Sequence, residues 1–160
     1  MKTRKAQAWG FDLIAAMMIF LVGMILFFFY VLNAPNENND VFNNFDYEGK
    51  IVGDSLFSSG FPEDWDQSDV VTIGIMSNGA LNETKLEEFY DFVNSDYERT
   101  KRLFNILNEY YVYFEEPIVV DSVSIEGIGW KESNPKNLVK ITRVMVHNGK
   151  IKNLNIHIWN

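Results

Sequence analysis

Hydrophobic residues follow one another without a charge from Leu13 to Leu32, a run of twenty residues near the start of the chain. At about 1.5 Å per residue, a helix of this length reaches about 30 Å, the thickness of the hydrocarbon core of a bilayer. A cleaved secretory signal has a shorter apolar region, about 7–15 residues, and a small-residue cleavage site after it. Asn33-Ala34-Pro35-Asn36 is a poor site of that kind. The pattern therefore predicts a retained transmembrane helix, which we place at residues 7–33.

The residues after this helix predict a linker and then a separate domain. Residues 34–44 are rich in asparagine, which favours turns, and Pro35 disfavours helix just before it. We therefore expect the apolar helix to end or kink near Leu32. From about Phe45 to Ser59 apolar residues recur at helical spacing, and a glycine and a proline follow as stop signals. This pattern predicts a short amphipathic helix at the start of a domain that covers residues 45–160.

The middle of the domain contains one predicted strand and two predicted helices. The apolar and β-branched residues 70–76 are typical of a strand. Asn82 is a favoured N-cap, and the apolar residues after it predict a helix to about Val93. A second short helix is expected from Tyr97 to Asn105, started by Asp96.

Strand-forming residues dominate the last third of the chain. Aromatic and β-branched residues predict strands over 109–116 and 118–130. Asn148-Gly149, the preferred pair for a type I′ turn, predicts a hairpin that closes the chain. In its second strand three buried positions should alternate with three solvent-facing ones: Leu154, Ile156 and Ile158 against Asn153, Asn155 and His157. Helices followed by consecutive strands imply an α+β domain whose helices pack on an antiparallel sheet.

The distribution of charge predicts the orientation of the chain. Lys2, Arg4 and Lys5 precede the apolar run, whereas the first charges after it are acidic, so the N-terminus should be cytoplasmic and the domain extracellular. With Asp12, residues 1–32 carry a net charge of +2, and the total of −8 leaves −10 for residues 33–160. Such an acidic domain would repel phosphates, and we expect no nucleic-acid partner. The chain has no cysteine, so no disulfide supports the fold.

Few residues in the domain are arranged for chemistry. His147 and His157 are the two histidines, and both are expected to be solvated residues of the last hairpin. Residues 64–68 are similar to the start of a calcium loop, but Asp69 occupies the glycine position and Ile75 the position of the bidentate glutamate. The chain contains no nucleophile elbow, phosphate loop or dinucleotide fingerprint. We therefore expect no enzyme, no catalytic residue, no cofactor and no metal.

Asn82 has two competing interpretations. Asn82-Glu83-Thr84 is an acceptor sequon, which in an extracellular segment makes Asn82 a candidate for glycosylation. The same side chain is the predicted helix cap, and a glycan and a cap would compete for it. We favour the cap.

The junction ahead of the apolar run, KAQAWGFDLI, combines a basic leader, a small residue and a polar residue. It resembles the signal of type IV prepilins. In that family a membrane peptidase cuts on the cytoplasmic side of the helix, which stays in the mature protein and becomes the filament core. Lys5-Ala6-Gln7 resembles the archaeal form, in which the cut falls between Ala6 and Gln7. Gly10-Phe11 resembles the bacterial form, in which the cut follows the glycine.

The position of the acidic residue favours the archaeal form. The family usually has a glutamate as its fifth mature residue, paired with the N-terminal amine of a neighbouring subunit. After a cut before Gln7, Phe11 occupies the fifth position and Asp12 follows one residue later, which still gives the acid a possible partner. The family's acid is at the fifth mature position and Asp12 would be at the sixth, and this difference points to a minor or pilin-like subunit. Gly23 would permit close packing between helices.

The resemblance implies a leader at residues 1–6 and a single-pass protein of the cell membrane that enters a surface filament. Its partners would be membrane lipid, a prepilin peptidase and other pilin-like subunits. The alternative is a membrane-anchored extracellular binding module that forms no filament. Processing of the N-terminus distinguishes the two hypotheses.

Overall fold

The computed structural model describes residues 4–32, 37–121 and 123–160. The chain divides into two compact units, Met1–Glu37 and Asn38–Asn160. The helices and strands, in chain order, are α1 (Arg4–Leu32), α2 (Glu37–Leu56), β1 (Met76–Ser77), β2 (Ala80–Leu81), α3 (Glu83–Phe104), β3 (Glu109–Val120), β4 (Val123–Gly129), β5 (Leu138–His147) and β6 (Lys150–Trp159). The α+β class and the antiparallel sheet predicted from the sequence are confirmed.

The first unit contains the single long helix α1. Its stretch Gly10–Leu32 has 23 residues, and an 18-residue window within it has a mean hydropathy of 2.7, so it is long and apolar enough to cross a membrane. The side chains of residues 10–32 are all exposed. The predicted apolar helix is therefore confirmed as a helix, while the break expected at residues 33–36 lies outside the described residues.

Helix α2 begins at Glu37, eight residues before the predicted start at Phe45, so residues 37–44 of the expected linker are helical. It ends at Leu56, three residues before the predicted end. Phe45, Val52 and Leu56 are buried at helical spacing and supply the apolar face. The asparagines of the first turns are poor helix formers, and they precede the buried face, which begins at Phe45.

Two glycines allow α2 to lie directly on the sheet. A Cβ atom on Gly49 would come within 2.6 Å of the Ile141 Cδ1 atom, and one on Gly53 within 3.3 Å of the Ile156 Cδ1 atom. Ile141 belongs to β5 and Ile156 to β6. The helix therefore crosses these two strands at a distance that only a residue without a side chain permits.

The main sheet has four antiparallel strands in the order β4-β3-β6-β5. The predicted hairpin is confirmed: β5 and β6 pair from Leu138↔Trp159 to His147↔Lys150. Asn148 and Gly149 have φ angles of 49° and 73°, as a type I′ turn requires. β3 continues through Pro117 to Val120, so the boundary predicted between strands 109–116 and 118–130 is wrong, and β4 covers only Val123–Gly129. The β3–β4 register shifts between Tyr113 and Ile118.

One face of the sheet is the core of the domain. It is covered by α2 and α3 and carries fully buried side chains from β3 and β6: Tyr110, Val112, Leu154, Ile156 and Ile158. The solvent-facing side predicted for β6 is wrong at Asn155, whose exposed fraction is 0%. The Thr142 hydroxyl on β5 donates a hydrogen bond of 2.8 Å to the Asn155 Oδ1 atom, whereas the Asn155 Nδ2 atom is buried without a hydrogen-bond partner among the described residues.

Helix α3 confirms the predicted cap and joins the two predicted helices. The Asn82 Oδ1 atom accepts a hydrogen bond from the Lys85 backbone N–H at 3.2 Å. Asp96 has non-helical angles (φ −150°, ψ 74°), and its Oδ1 atom accepts from the Arg99 N–H at 3.0 Å. Asp96 therefore starts a second helical segment, as predicted, within one kinked helix. Asn105 ends it in the left-handed conformation with φ 56°.

The strand predicted over residues 70–76 is wrong, because only Met76 belongs to a strand, the two-residue β1. The backbone N–H groups of Ile75 and Met76 donate instead to carbonyls of the segment after α2, at Leu56 and Ser58. Gly74 is packed so closely that an added Cβ would lie 2.2 Å from the Gly60 nitrogen. Most apolar side chains of residues 70–76 are buried within an irregular segment instead of a strand. A run of apolar and β-branched residues is compatible with both structures.

Candidate functional site

The residues predicted for processing and assembly all lie along α1. Ala6, Gln7, Gly10 and Phe11 are within its first two turns, and Asp12 follows. A helix advances about 1.5 Å and turns about 100° per residue, so Gln7 and Asp12 are about 7.5 Å apart along the axis and about 140° apart around it. Within one copy, Asp12 therefore points away from an amine at Gln7. The Asp12 carboxylate would more readily form an ion pair with an amine at Gln7 of another copy of the chain.

Asp12 and Gly23 share one face of α1. Eleven residues turn a helix to within about 20° of the starting direction, and Ala16 lies about 40° from Asp12. These residues belong to a row with alternating spacings of four and three, which we call the Asp12 seam: Asp12, Ala16, Ile19, Gly23, Leu26 and Tyr30. Such spacing is typical of the contact line between packed helices. A Cβ atom added at Gly10 or Gly23 would have no atom of the described residues within 4 Å apart from the adjacent helix backbone, so the space beside both glycines is open.

The expectation that both histidines are solvated is wrong. The side chains of His147 and His157 are only 13% and 12% exposed. His147 Nε2 lies 2.6 Å from the Glu83 Oε1 atom, at the start of α3. The hydrogen bond with His147 holds the pKa of the Glu83 carboxyl below its usual value, and a bond from Asn148 lowers it further. This pair joins the tip of the β5–β6 hairpin to the first turn of α3.

His157 is part of a hydrogen-bonded row on the outer face of the sheet. Its Nδ1 atom lies 2.8 Å from the Glu132 Oε1 atom, and its Nε2 atom lies 3.3 Å from the Tyr113 hydroxyl. The carboxylate fixes the orientation of the imidazole and therefore directs the other ring nitrogen at the phenol. Tyr111 stacks on Tyr113 with 5.7 Å between the ring centroids.

These side chains line a depression of about 340 Å³, which we call the tyrosine cleft. Its floor and rim include Tyr111, Tyr113, His157, Glu115, Glu126 and Glu132. Burial raises the pKa of the Tyr111 hydroxyl, and the charges of Glu126 and Glu132 raise it further. The aromatic residues at alternating positions of YYVYF could have indicated this surface, because alternate strand residues share a face. Glu132 comes from the loop after β4, and no local pattern identifies it.

The calcium-like loop uses its carboxylates internally. The Asp66 Oδ1 atom accepts hydrogen bonds from the Ser68 N–H and hydroxyl, both at 2.6 Å, and these bonds hold its pKa below the usual value. Asp69 in turn accepts from the Asp66 N–H at 2.9 Å. Trp65 is buried, and its indole N–H donates to the Gly74 carbonyl at 2.9 Å. Among the described residues, no group of three or more His, Cys, Asp or Glu side chains is arranged to hold a metal ion.

Both polar atoms of the candidate glycosylation residue are engaged. The Asn82 oxygen accepts from Lys85 as the helix cap, and the Asn82 Nδ2 atom donates to the Ser77 hydroxyl at 3.1 Å. A glycan would be attached through this nitrogen. Attachment would therefore displace the bond to Ser77, and glycosylation at Asn82 stays a prediction.

Comparison with protein-family models, with curated proteins and with solved structures finds no match. Function is therefore inferred from the residues and their geometry.

Proposed function

We propose that this chain is a minor or pilin-like subunit of an archaeal type IV pilus-like filament. In this proposal α1 crosses the membrane before assembly and packs among its copies afterwards, while the acidic domain is displayed outside the cell. The N-terminal processing site is between Ala6 and Gln7. The observation that carries the proposal is the Asp12 seam, which puts the acid and two small residues, Ala16 and Gly23, on one side of the apolar helix.

The seam supports helix association because small residues let two helices approach closely in lipid, where dispersion and polar contacts replace the hydrophobic effect. An acid at the edge of an apolar helix is costly unless it is paired. The amine created at Gln7 of a neighbouring copy would supply the partner of Asp12, and this pair would set the stagger between copies.

One feature departs from the family pattern. Pilins often continue the membrane helix into the head domain, whereas Pro35, between α1 and α2 in the sequence, disfavours helix just before it.

N-terminal sequencing of protein purified from its native membrane tests the processing step. We expect a mature chain that begins at Gln7. A chain that begins beyond residue 32 would identify α1 as a cleaved signal sequence. A chain that still begins at Met1 or Lys2 would contradict the pilin proposal and favour the non-assembling binding module.

Cysteine cross-linking tests the seam, because the chain has no native cysteine. Single cysteines at Ala16 or Gly23 should give cross-linked dimers in native membranes under mild oxidation. The matched controls are Leu21→Cys and Phe28→Cys, which lie about 160–180° around the helix from Asp12. Equal cross-linking on both faces, or none on either, would contradict packing through the seam.

Removal of the acid separates processing from assembly. Asp12→Ala should leave cleavage before Gln7 intact but reduce the amount of protein recovered in sheared filaments. Asp12→Glu, which keeps the charge, should retain assembly. Normal assembly of Asp12→Ala would show that the acid has no role in it.

The alternative proposal is a membrane-anchored extracellular binding module. The observation that favours it is the tyrosine cleft, which has the aromatic and acidic side chains of a recognition surface. In this case α1 remains uncut and seam cysteines do not cross-link.

A further inference from the structure

The rim of the tyrosine cleft carries more negative charge than the described residues neutralise. Three glutamates line it, against two lysines: Lys131 in the lining and Lys140, whose Nζ atom lies 5.5 Å from the Tyr113 ring centroid. Glu115 accepts a hydrogen bond of 3.2 Å from Asn153, and Glu132 binds His157 through one oxygen. The other oxygen of Glu132 is buried and has no hydrogen-bond partner among the described residues.

Glu126 is the rim carboxylate that is free to bind a ligand. It is an exposed residue of β4, and within the described part of the chain it forms neither a salt bridge nor a side-chain hydrogen bond. Its charge and that of Glu132 act on the same aromatic group, because both raise the pKa of the Tyr111 hydroxyl. The Tyr111 side chain therefore lies in a negative potential that favours a cation.

The floor of the cleft adds an aromatic surface that attracts positive charge. Lys140 already lies over the Tyr113 ring, with its Nζ atom 5.5 Å from the centroid. Tyr111 stacks beside Tyr113, and its hydroxyl lies above Gly127, where an added Cβ would come within 2.1 Å of it. Gly127 thus leaves room for the Tyr111 side chain to lie across β4 next to the carboxylates.

We propose that the tyrosine cleft binds an organic cation, with its ammonium or guanidinium group over the Tyr111 ring and beside Glu126 and Glu132. A tyrosine ring has a negative face, and carboxylates around such a ring are suited to alkylammonium groups. The volume of about 340 Å³ is at the small end of ligand sites, so it accommodates a side chain or a small amine. This inference does not depend on filament assembly.

The cation has two possible sources, a free amine or a lysine or arginine side chain of another protein. The test uses the full-length protein in lipid nanodiscs with isotope-labelled tyrosine rings. Spermidine represents the free amine, and Nα-acetyl-lysine methylamide represents a protein side chain. The matched neutral probe is the same lysine derivative acetylated at its Nε atom. Tyrosine-ring NMR shifts report binding.

We expect the Tyr111 signal to shift with at least one cationic probe at millimolar concentration and not with the neutral probe. Added salt should weaken this binding, because the charges are near the surface. A response to spermidine alone assigns the free amine, and a response to the lysine derivative alone assigns a protein side chain. Either result supports the proposal.

Two substitutions link the binding to named residues. Glu126→Gln should weaken binding about two- to fivefold, a loss typical of one charge contact near a surface. Its matched control is Glu98→Gln on α3, an exposed carboxylate outside the cleft, which should leave the affinity unchanged. Since Glu126 is exposed and unpaired among the described residues, its replacement should not affect folding.

Four results would overturn the proposal. The first is the absence of any Tyr111 shift with both cations at 50 mM, roughly the weakest binding such a contact gives. The second is equal binding of the neutral and the cationic lysine derivatives. The third is an unchanged affinity in Glu126→Gln. A shift caused by a neutral sugar and by neither cation would equally overturn it and assign a different ligand class.

Discussion

Replacement of Glu48 should have a large effect on the stability of the domain. Glu48 is on α2 and is only 4% exposed. Its carboxylate accepts hydrogen bonds from the Leu107 N–H at 3.2 Å, the Asn108 N–H at 3.2 Å and the Asn108 side-chain amide at 3.0 Å. Glu48 therefore fixes α2 to the segment between α3 and β3. Its partners Leu107 and Asn108 are 59 and 60 residues away in the sequence.

The magnitude follows from these contacts. A hydrogen bond to a charged group contributes about 1.5–3 kcal/mol. The four bonds to this carboxylate, three from residues 107–108 and one from the Asn44 side-chain amide at 3.3 Å, are not additive. Water can reach part of this segment, since the Leu107 side chain is 86% exposed, and the variant no longer has to desolvate a carboxylate. We therefore expect Glu48→Ala to lower the free energy of unfolding by about 2–4 kcal/mol, less than the ~4.5 kcal/mol that three independent bonds would contribute at least.

Urea denaturation of the full chain in detergent micelles, followed by tryptophan fluorescence, measures this loss. The matched control is Asp46→Ala on the same helix. Asp46 is exposed and pairs with Lys50 at 2.6 Å, a contact worth at most about 0.5 kcal/mol. If Glu48→Ala stays within about 0.5 kcal/mol of the wild type, the carboxylate does not hold α2 to the domain and the reasoning fails.

Three further predictions concern the topology, the turn and the pH dependence of the domain. Protease added to cells with an opened outer layer should digest residues 40–160, and full protection of this region would contradict an extracellular domain. A fragment of residues 42–160 should unfold cooperatively on heating, and Gly149→Val should destabilise it by about 1–3 kcal/mol, because valine disfavours the φ angle of 73°. The pKa of Glu83 is lowered in the folded domain, so its pair with His147 stabilises the fold above the ordinary glutamate pKa of 4.5, and this contribution is lost as the pH falls through the lowered value. His147→Ala should therefore flatten the decrease in melting temperature on acidification below about pH 5, and an unchanged decrease would exclude the pair as its cause.

The features that the sequence predicted correctly depend on neighbouring residues. The charge-free run determines α1, the Asn82 side chain caps the helix that follows it, and Asn148-Gly149 forms the type I′ turn. In each case a few consecutive residues supply both the geometry and the hydrogen bonds. The kink at Asp96 is of the same kind, since this aspartate caps its own segment.

The features that the sequence did not reveal depend on contacts between distant residues. Helix α2 packs on Ile141 and Ile156 of the sheet through Gly49 and Gly53, and its own sequence does not indicate these contacts. Residues 70–76 are irregular because their backbone groups bond to the segment after α2. The pattern of apolar residues shows that these segments are buried, but it does not show which partners bury them.

The candidate sites divide in the same way. The Asp12 seam follows from the sequence once α1 is a continuous helix, because helical geometry fixes the direction of every side chain. The tyrosine cleft required the tertiary structure, since Tyr111, Glu126, Glu132 and His157 come from β3, β4, a loop and β6. Strand order and register bring these residues together, and both are set by long-range pairing that no short stretch of the chain encodes.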